Sequence, residues 1–150
     1  MVRHKNRYIV LEINETGRNN TLQLKLKGIS LQEAILEKVQ QLHGDFGVAA
    51  VRAGFTAKYF NEHTRVGFIR SRCGPHKLVA SSIPCIKTIE NKNVVVNILY
   101  VGATIRQCFN FLKNYQQRKF DEYCVKLKTD EEKLALKEAM LNFENVLAIL

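Results

Sequence analysis

The sequence predicts an α+β domain in the order strand, helix, strand, strand, helix, strand, followed by two further helices. Three observations carry that prediction. Apolar runs rich in β-branched residues alternate with segments whose apolar residues recur at helical spacing. The runs 8–11 and 94–101 are apolar on both faces, whereas a sheet with one wet face would alternate. Past residue 103 two amphipathic helical patterns follow. Two split βαβ units in this order form a ferredoxin-like antiparallel sheet with its helices on one face. The two C-terminal helices are then the available cover for the other face. With 150 residues and 46% hydrophobic content, the chain reads as a single domain with a substantial core. Residues 1–103 form the ferredoxin-like part and residues 104–150 the helical extension.

The elements follow in order. Arg3, Lys5 and Arg7 alternate, so an extended chain presents them on one side as a basic arm, mobile or lying at an edge. Residues 8–13 are the first strand, and residues 14–29 a polar loop. Ser30 and Glu33 form a capping box. Leu31, Ile35, Val39 and Leu42 continue the helix until Gly44 ends it. Residues 43–47 are a turn and 48–60 a long strand. Residues 61–64 connect a hairpin whose second arm is 65–73. Gly74-Pro75 breaks the chain and a helix opens near His76, with Pro84 kinking or shortening it. After a loop at 91–93, residues 94–101 form a buried strand. Gly102 makes a tight turn, and Thr104 caps a helix running to about residue 123. Thr129 and Glu132 form a second capping box. It opens a last helix with Leu136, Met140, Phe143 and Leu147 on one face.

Charge narrows the function. The net charge is +9, and it is unevenly spread: residues 1–119 carry +12 and residues 120–150 carry −3. A basic body of this kind attracts polyanions. An anionic membrane or an acidic protein would also answer to it. The four cysteines, Cys73, Cys85, Cys108 and Cys124, have no metal-ligand spacing and read as small buried hydrophobes. With no signal peptide and no long apolar run, the chain reads as soluble and intracellular, with no membrane partner. His4, His43, His63 and His76 stand at turns or element ends. No nucleophile elbow, phosphate loop or carboxylate pair is present. The chain is therefore expected not to be an enzyme and to carry no catalytic residue and no metal.

The basic residues form the better constellation. Arg70 and Arg72, two apart on a strand, share a face. Arg106, Asn110, Lys113 and Gln117 recur as a polar helical stripe. Around Gly102 and Thr104 the free N–H groups of a first helical turn, the helix dipole and the Arg106 guanidinium converge where a phosphate fits. The plainer alternative is that Gly102 only makes the turn and that Arg106 and Lys113 are solvated. On the functional reading, Arg3, Lys5, Arg7, Arg70, Arg72, Gly102, Thr104, Arg106 and Lys113 contact RNA. Because the second sheet face is covered, bases do not stack on the strands as they do on an open sheet of RRM type.

Several motifs resemble one family. These are residues 1–8, Met-Val-Arg-His-Lys-Asn-Arg-Tyr, the turn His-Gly-Asp-Phe-Gly at 43–47, Lys58-Tyr59-Phe60-Asn61 and Glu90-Asn91-Lys92. The densest match is Val101-Gly-Ala-Thr-Ile-Arg-Gln-Cys with Phe111-Leu-Lys-Asn-Tyr115. They are similar to the small ribonuclease P and RNase MRP protein subunit family, the processing-of-precursor subunit five family, from residue 1 to about 125. Ala103 stands where a second glycine is expected, residues 14–29 do not match, and there is no long acidic tail. The resemblance implies an RNA-binding accessory subunit that stabilises the catalytic RNA removing 5′ leaders from precursor tRNA. It implies magnesium on that RNA and no cofactor in the protein. It also implies a TIM-barrel-like protein partner of about thirty kilodaltons, a small paralogous subunit, and indirect contact with precursor tRNA. Nucleus and nucleolus are the implied location in a eukaryote, the cytoplasm otherwise. A basic protein-interaction module without direct RNA contact is the alternative.

Overall fold

The computed structural model describes residues 3–17 and 24–142. Its elements are β1 (Asn6–Glu15), α1 (Gly28–Arg52), β2 (Thr56–Phe60), β3 (Val66–Arg72), α2 (His76–Ser82), a 3-10 turn (Ile83–Cys85), β4 (Thr88–Ile89), β5 (Lys92–Gly102), α3 (Ile105–Cys124) and α4 (Asp130–Leu141). The sheet order is β2-β3-β1-β5-β4, and every paired neighbour is antiparallel. With β1 and β3 central and the short β4 set aside, this is the expected ferredoxin-like arrangement.

Two cores sandwich the sheet because β1 alternates. Ile9, Leu11 and Ile13 face α1 and α2 with Leu31, Ile35, Val39, Val79 and Ile83. Val10 faces the other way, with Val66 and Phe68, onto Cys108 and Leu112 of α3. That second core is the predicted cover, and Tyr100 and Phe111 stack across it at 4.9 Å between ring centroids. The cover is narrower than expected, because it is α3 that packs on the sheet while α4 packs on α3. Val95 of β5, paired with Asn14 on the α3 face, stays 43% exposed. In α4, Met140 is buried; Phe143 and Leu147 lie outside the described residues.

Five further expectations are corrected. Residues 48–60 are not one strand. Gly44, at φ 67° and ψ −165°, breaks α1 without ending it. The helix re-forms to Arg52, and Gly54 at φ 81° makes the true exit before β2. The buried ladder Ile35, Val39, Gly47, Val51 keeps an interval of four across the kink, which is why the second half packs as helix. The capping box at Ser30 is not formed, since the helix starts two residues earlier. Glu90 acts in its place: its carboxylate accepts from Lys27 N at 3.4 Å. Its pKa is lowered chiefly by a hydrogen bond from Ser30. The carboxylate thus sits where a helix N-terminus favours negative charge. Within the loop 14–29, Leu24 and Leu26 are core residues. Thr129 is the N-cap residue of α4 but its side chain accepts no bond; the acidic first turn, Asp130, Glu131 and Glu132, favours that helix end instead. Pro84 behaves as expected, since α2 gives way to the 3-10 turn around it.

Candidate nucleic-acid interface

The join between β5 and α3 is built as the sequence suggests. Thr104 is the N-cap, its Oγ1 accepting from Gln107 N at 3.3 Å. Gln107 Oε1 in return accepts from Ala103 N at 3.1 Å, a reciprocal cap that holds the turn rigid. Gly102 is required by contact. A Cβ there would meet Cys108 Sγ at 2.8 Å and Tyr100 Cε1 at 3.0 Å. Cys108 in turn donates its thiol to Tyr8 O at 3.4 Å. The first turn of α3 is thereby pinned on the end of β1.

Register brings the remaining cations to the same end. Tyr8 pairs with Gly102 on one side and with Arg70 on the other, and Arg70 pairs with Thr56. These four form one row across the sheet on the face covered by α3. The next row pairs Asn6 with Arg72. Arg70 and Arg72 share the parity of Phe68, so they point to the α3 side. The two rows contain no carboxylate, and among the described residues none forms a salt bridge with Arg70, Arg72 or Arg106. Arg70 Nε and Thr56 Oγ1 are both buried and without a hydrogen-bond partner. Donors held out of water without acceptors are costly, and an anion arriving at Arg70 would satisfy its guanidinium.

The arm is divided. Arg3 and Lys5 are exposed ahead of β1, although Lys5 O accepts from Cys73 N at 2.8 Å. Arg7 belongs to central strand β1, opposite Ser71, so it lies neither in a mobile arm nor at a sheet edge. Sharing the parity of Ile9, it faces the α2 side. There His76 is held below the usual histidine range by burial first and then by the Arg7 and Lys77 cations. The cationic end therefore wraps both faces. Arg7 and Lys77 lie on one side, with Arg70, Arg72 and Arg106 on the other. Lys77 is a contributor that sequence spacing did not single out. Arg106, Asn110, Lys113 and Gln117 are all exposed. Lys113 stands about 10 Å along α3 from Arg106 at 1.5 Å per residue. It extends the stripe and does not join the rows.

Among the described residues no three His, Cys, Asp or Glu side chains converge as metal ligands. No helix among them is long and apolar enough to cross a membrane.

The seam yields a chemical prediction. Burial pushes the Cys108 thiol up to about 11, and Cys108 is 0% exposed, whereas Cys73 and Cys85 are exposed. At neutral pH an alkylating reagent should label Cys73 and Cys85 at least about a hundred-fold faster than Cys108. A raised thiol pKa favours the protonated folded state. Stability is therefore intact below the unfolded thiol's value and is lost as pH rises through the folded one, near 11. Equal labelling rates for the three would mean that α3 does not close on β1.

The profile of the Rpp14/Pop5 family matches residues 7–113. A zebrafish protein, "Ribonuclease P/MRP protein subunit POP5" from Danio rerio, is 34% identical over 150 residues, covering 95% of this chain and 86% of that protein. The Homo sapiens protein of the same name is 35% identical over 122 residues, covering 79% of this chain and 74% of that one. Among solved structures, a chain of the yeast ribonuclease MRP cryo-EM structure shares the fold. Its TM-score is 0.54 at 15% identity, over 100% of this chain and 99% of that one.

Proposed function

The chain belongs to the Rpp14/Pop5 family, and from that premise we propose that it is a protein subunit of ribonuclease P/MRP whose cationic end binds and stabilises the catalytic RNA. One observation carries the assignment of the surface. The pairing of Tyr8 with both Gly102 and Arg70 sets Arg70 across β1 from the start of α3, and Arg72 one row further along, on the same sheet face with no carboxylate in the rows. Phosphates would take the free N–H groups of the first turn of α3 and the guanidiniums of Arg70, Arg72 and Arg106. Arg3, Lys5, Arg7 and Lys113 would extend the contact along the backbone. On this reading the protein fixes RNA shape and does not read sequence here, since phosphate contacts position and base contacts specify.

The chain itself does no chemistry in this scheme. The RNA holds magnesium and the active site that removes 5′ leaders from precursor tRNA. A TIM-barrel-like subunit and a small paralogous subunit are the protein partners, and the particle works in the nucleus and nucleolus. The test is the affinity of the chain for the RNA of its own particle across 50 to 200 mM salt. Several phosphate contacts predict a log–log slope of several units, near 0.7 to 0.9 for each phosphate neutralised. A flat response contradicts direct RNA binding and leaves the basic protein-interaction module.

A further inference from the structure

Along the strands from the cationic rows, between β1, the β2–β3 turn and the two C-terminal helices, lies a cleft of about 600 Å³. That size is typical of a small-molecule or nucleotide site. Its walls differ in chemistry. The sheet side presents Glu12, whose Oε1 accepts from Tyr115 OH at 3.0 Å. Beside it Gln116 is only 1% exposed. Its Nε2 donates to Thr64 Oγ1 at 3.1 Å, and its Oε1 is buried without a partner. This wall therefore carries a carboxylate and an amide oxygen, with Asn14, Thr64 and Arg65 lining the cleft beside them. The facing wall, Leu136 and Met140 of α4, is apolar. The rim is cationic: Lys119 Nζ lies 5.7 Å from the Tyr115 ring and Lys126 Nζ 5.9 Å from that of Tyr123.

We propose that this cleft holds one unstacked guanine nucleotide of the bound RNA, an inference that rests on the RNA-binding reading above. The Glu12 carboxylate selects a base that offers it donors, and the Asn14 amide in the same lining suits a base that also offers a carbonyl oxygen. Guanine is the RNA base whose Watson–Crick edge presents two adjacent ones, N1–H and the N2 amine, to a carboxylate. The apolar side chains of α4 and the Tyr123 ring supply surfaces for the base plane. Lys119 and Lys126 take the phosphate at the mouth. The same lysines repel a cationic ligand that Glu12 alone would attract. Unpaired RNA segments are recognised in this manner, by stacking and by their base edges.

The experiment is an amide-resolved NMR titration of the full chain with guanosine, adenosine, cytidine and uridine monophosphates and with inorganic phosphate. Guanosine monophosphate is expected to move the signals of Thr64, Gln116 and Lys126, and to bind about ten-fold or more tighter than the other three nucleotides. Glu12→Gln, which keeps an acceptor for Tyr115 but loses the carboxylate, should abolish that preference. Lys126→Ala, at an exposed position that leaves folding intact, should weaken all binding several-fold and keep the preference. Equal response to all four nucleotides, or no response around the cleft, overturns the proposal. Movement of the Ala103–Arg106 signals by inorganic phosphate, with a silent cleft, would overturn it while supporting the cationic end. A responding cleft with salt-insensitive RNA affinity would support the cleft and contradict the cationic end.

Discussion

Replacing Arg70, Arg72 and Arg106 together by alanine is expected to lower the salt slope of RNA binding by about two to three units. Affinity at 150 mM salt should fall by roughly two orders of magnitude if each lost phosphate contact is worth about 1 kcal/mol. The loss should be uniform across RNA sequences, because phosphates carry no base information. Stability should not fall in parallel. Arg106 is exposed in the first turn of α3, where a cation opposes the helix dipole, so its removal is neutral or slightly stabilising. Arg70 and Arg72 have no salt-bridge partner among the described residues, and the buried, unpartnered Nε of Arg70 disappears with the side chain. Filter binding together with thermal melting separates the two effects. An unchanged slope with a lowered Tm would make these arginines structural.

The second large effect falls on the cover of the sheet. Phe68 is 1% exposed. It fills the space between β3 and α3 with Val10, Val66 and Leu112, its ring 5.9 Å from that of Tyr59. Phe68→Ala should cost roughly 3–5 kcal/mol, the usual range for a truncated core phenylalanine. Much of that loss should appear as release of α3 from the sheet. Leu134→Ala, at a position 65% exposed, is the control and should stay within about 0.5 kcal/mol of the parent. Denaturant unfolding measures both. A loss below about 1 kcal/mol for Phe68→Ala would mean that α3 does not pack as described.

The contrast between what was legible and what was not has physical causes. The β5–α3 join could be read because its signals are local. Thr104, Gln107 and Gly102 meet within six residues, and capping chemistry depends on short spacing. The apolar runs of β1 and β5 announced a covered second face, but they did not say how far the cover reaches. Val95, on the α3 face opposite Asn14, is apolar and still 43% exposed. The helical half of α1 beyond Gly44 is hidden in the sequence because a glycine at positive φ marks an interruption as readily as an end. The buried interval of four through Val51 was the available signal. The two-residue strand β4 is too short to show a period. Leu24 and Leu26 are hidden in a polar stretch, and they reach the core through tertiary context alone.

The candidate site divides the same way. Gly102, Thr104 and Arg106 were visible as one unit. The position of Arg70 beside them depends on the register of β1 against β3. A slip of one residue would turn both Arg70 and Arg72 to the other face. Arg7 shows that sensitivity, since its parity puts it with His76 and not with Arg70.

The claim that the rows around Gly102 face the RNA is tested most directly by cross-linking. A photoreactive residue is placed at exposed Ala103 and, separately, at exposed Glu37 on α1, and each protein is assembled with the RNA of its particle. Cross-links to RNA from position 103 and none from position 37 are the predicted result. Cross-links to RNA from position 37 with none from 103, or to protein alone from 103, would contradict it.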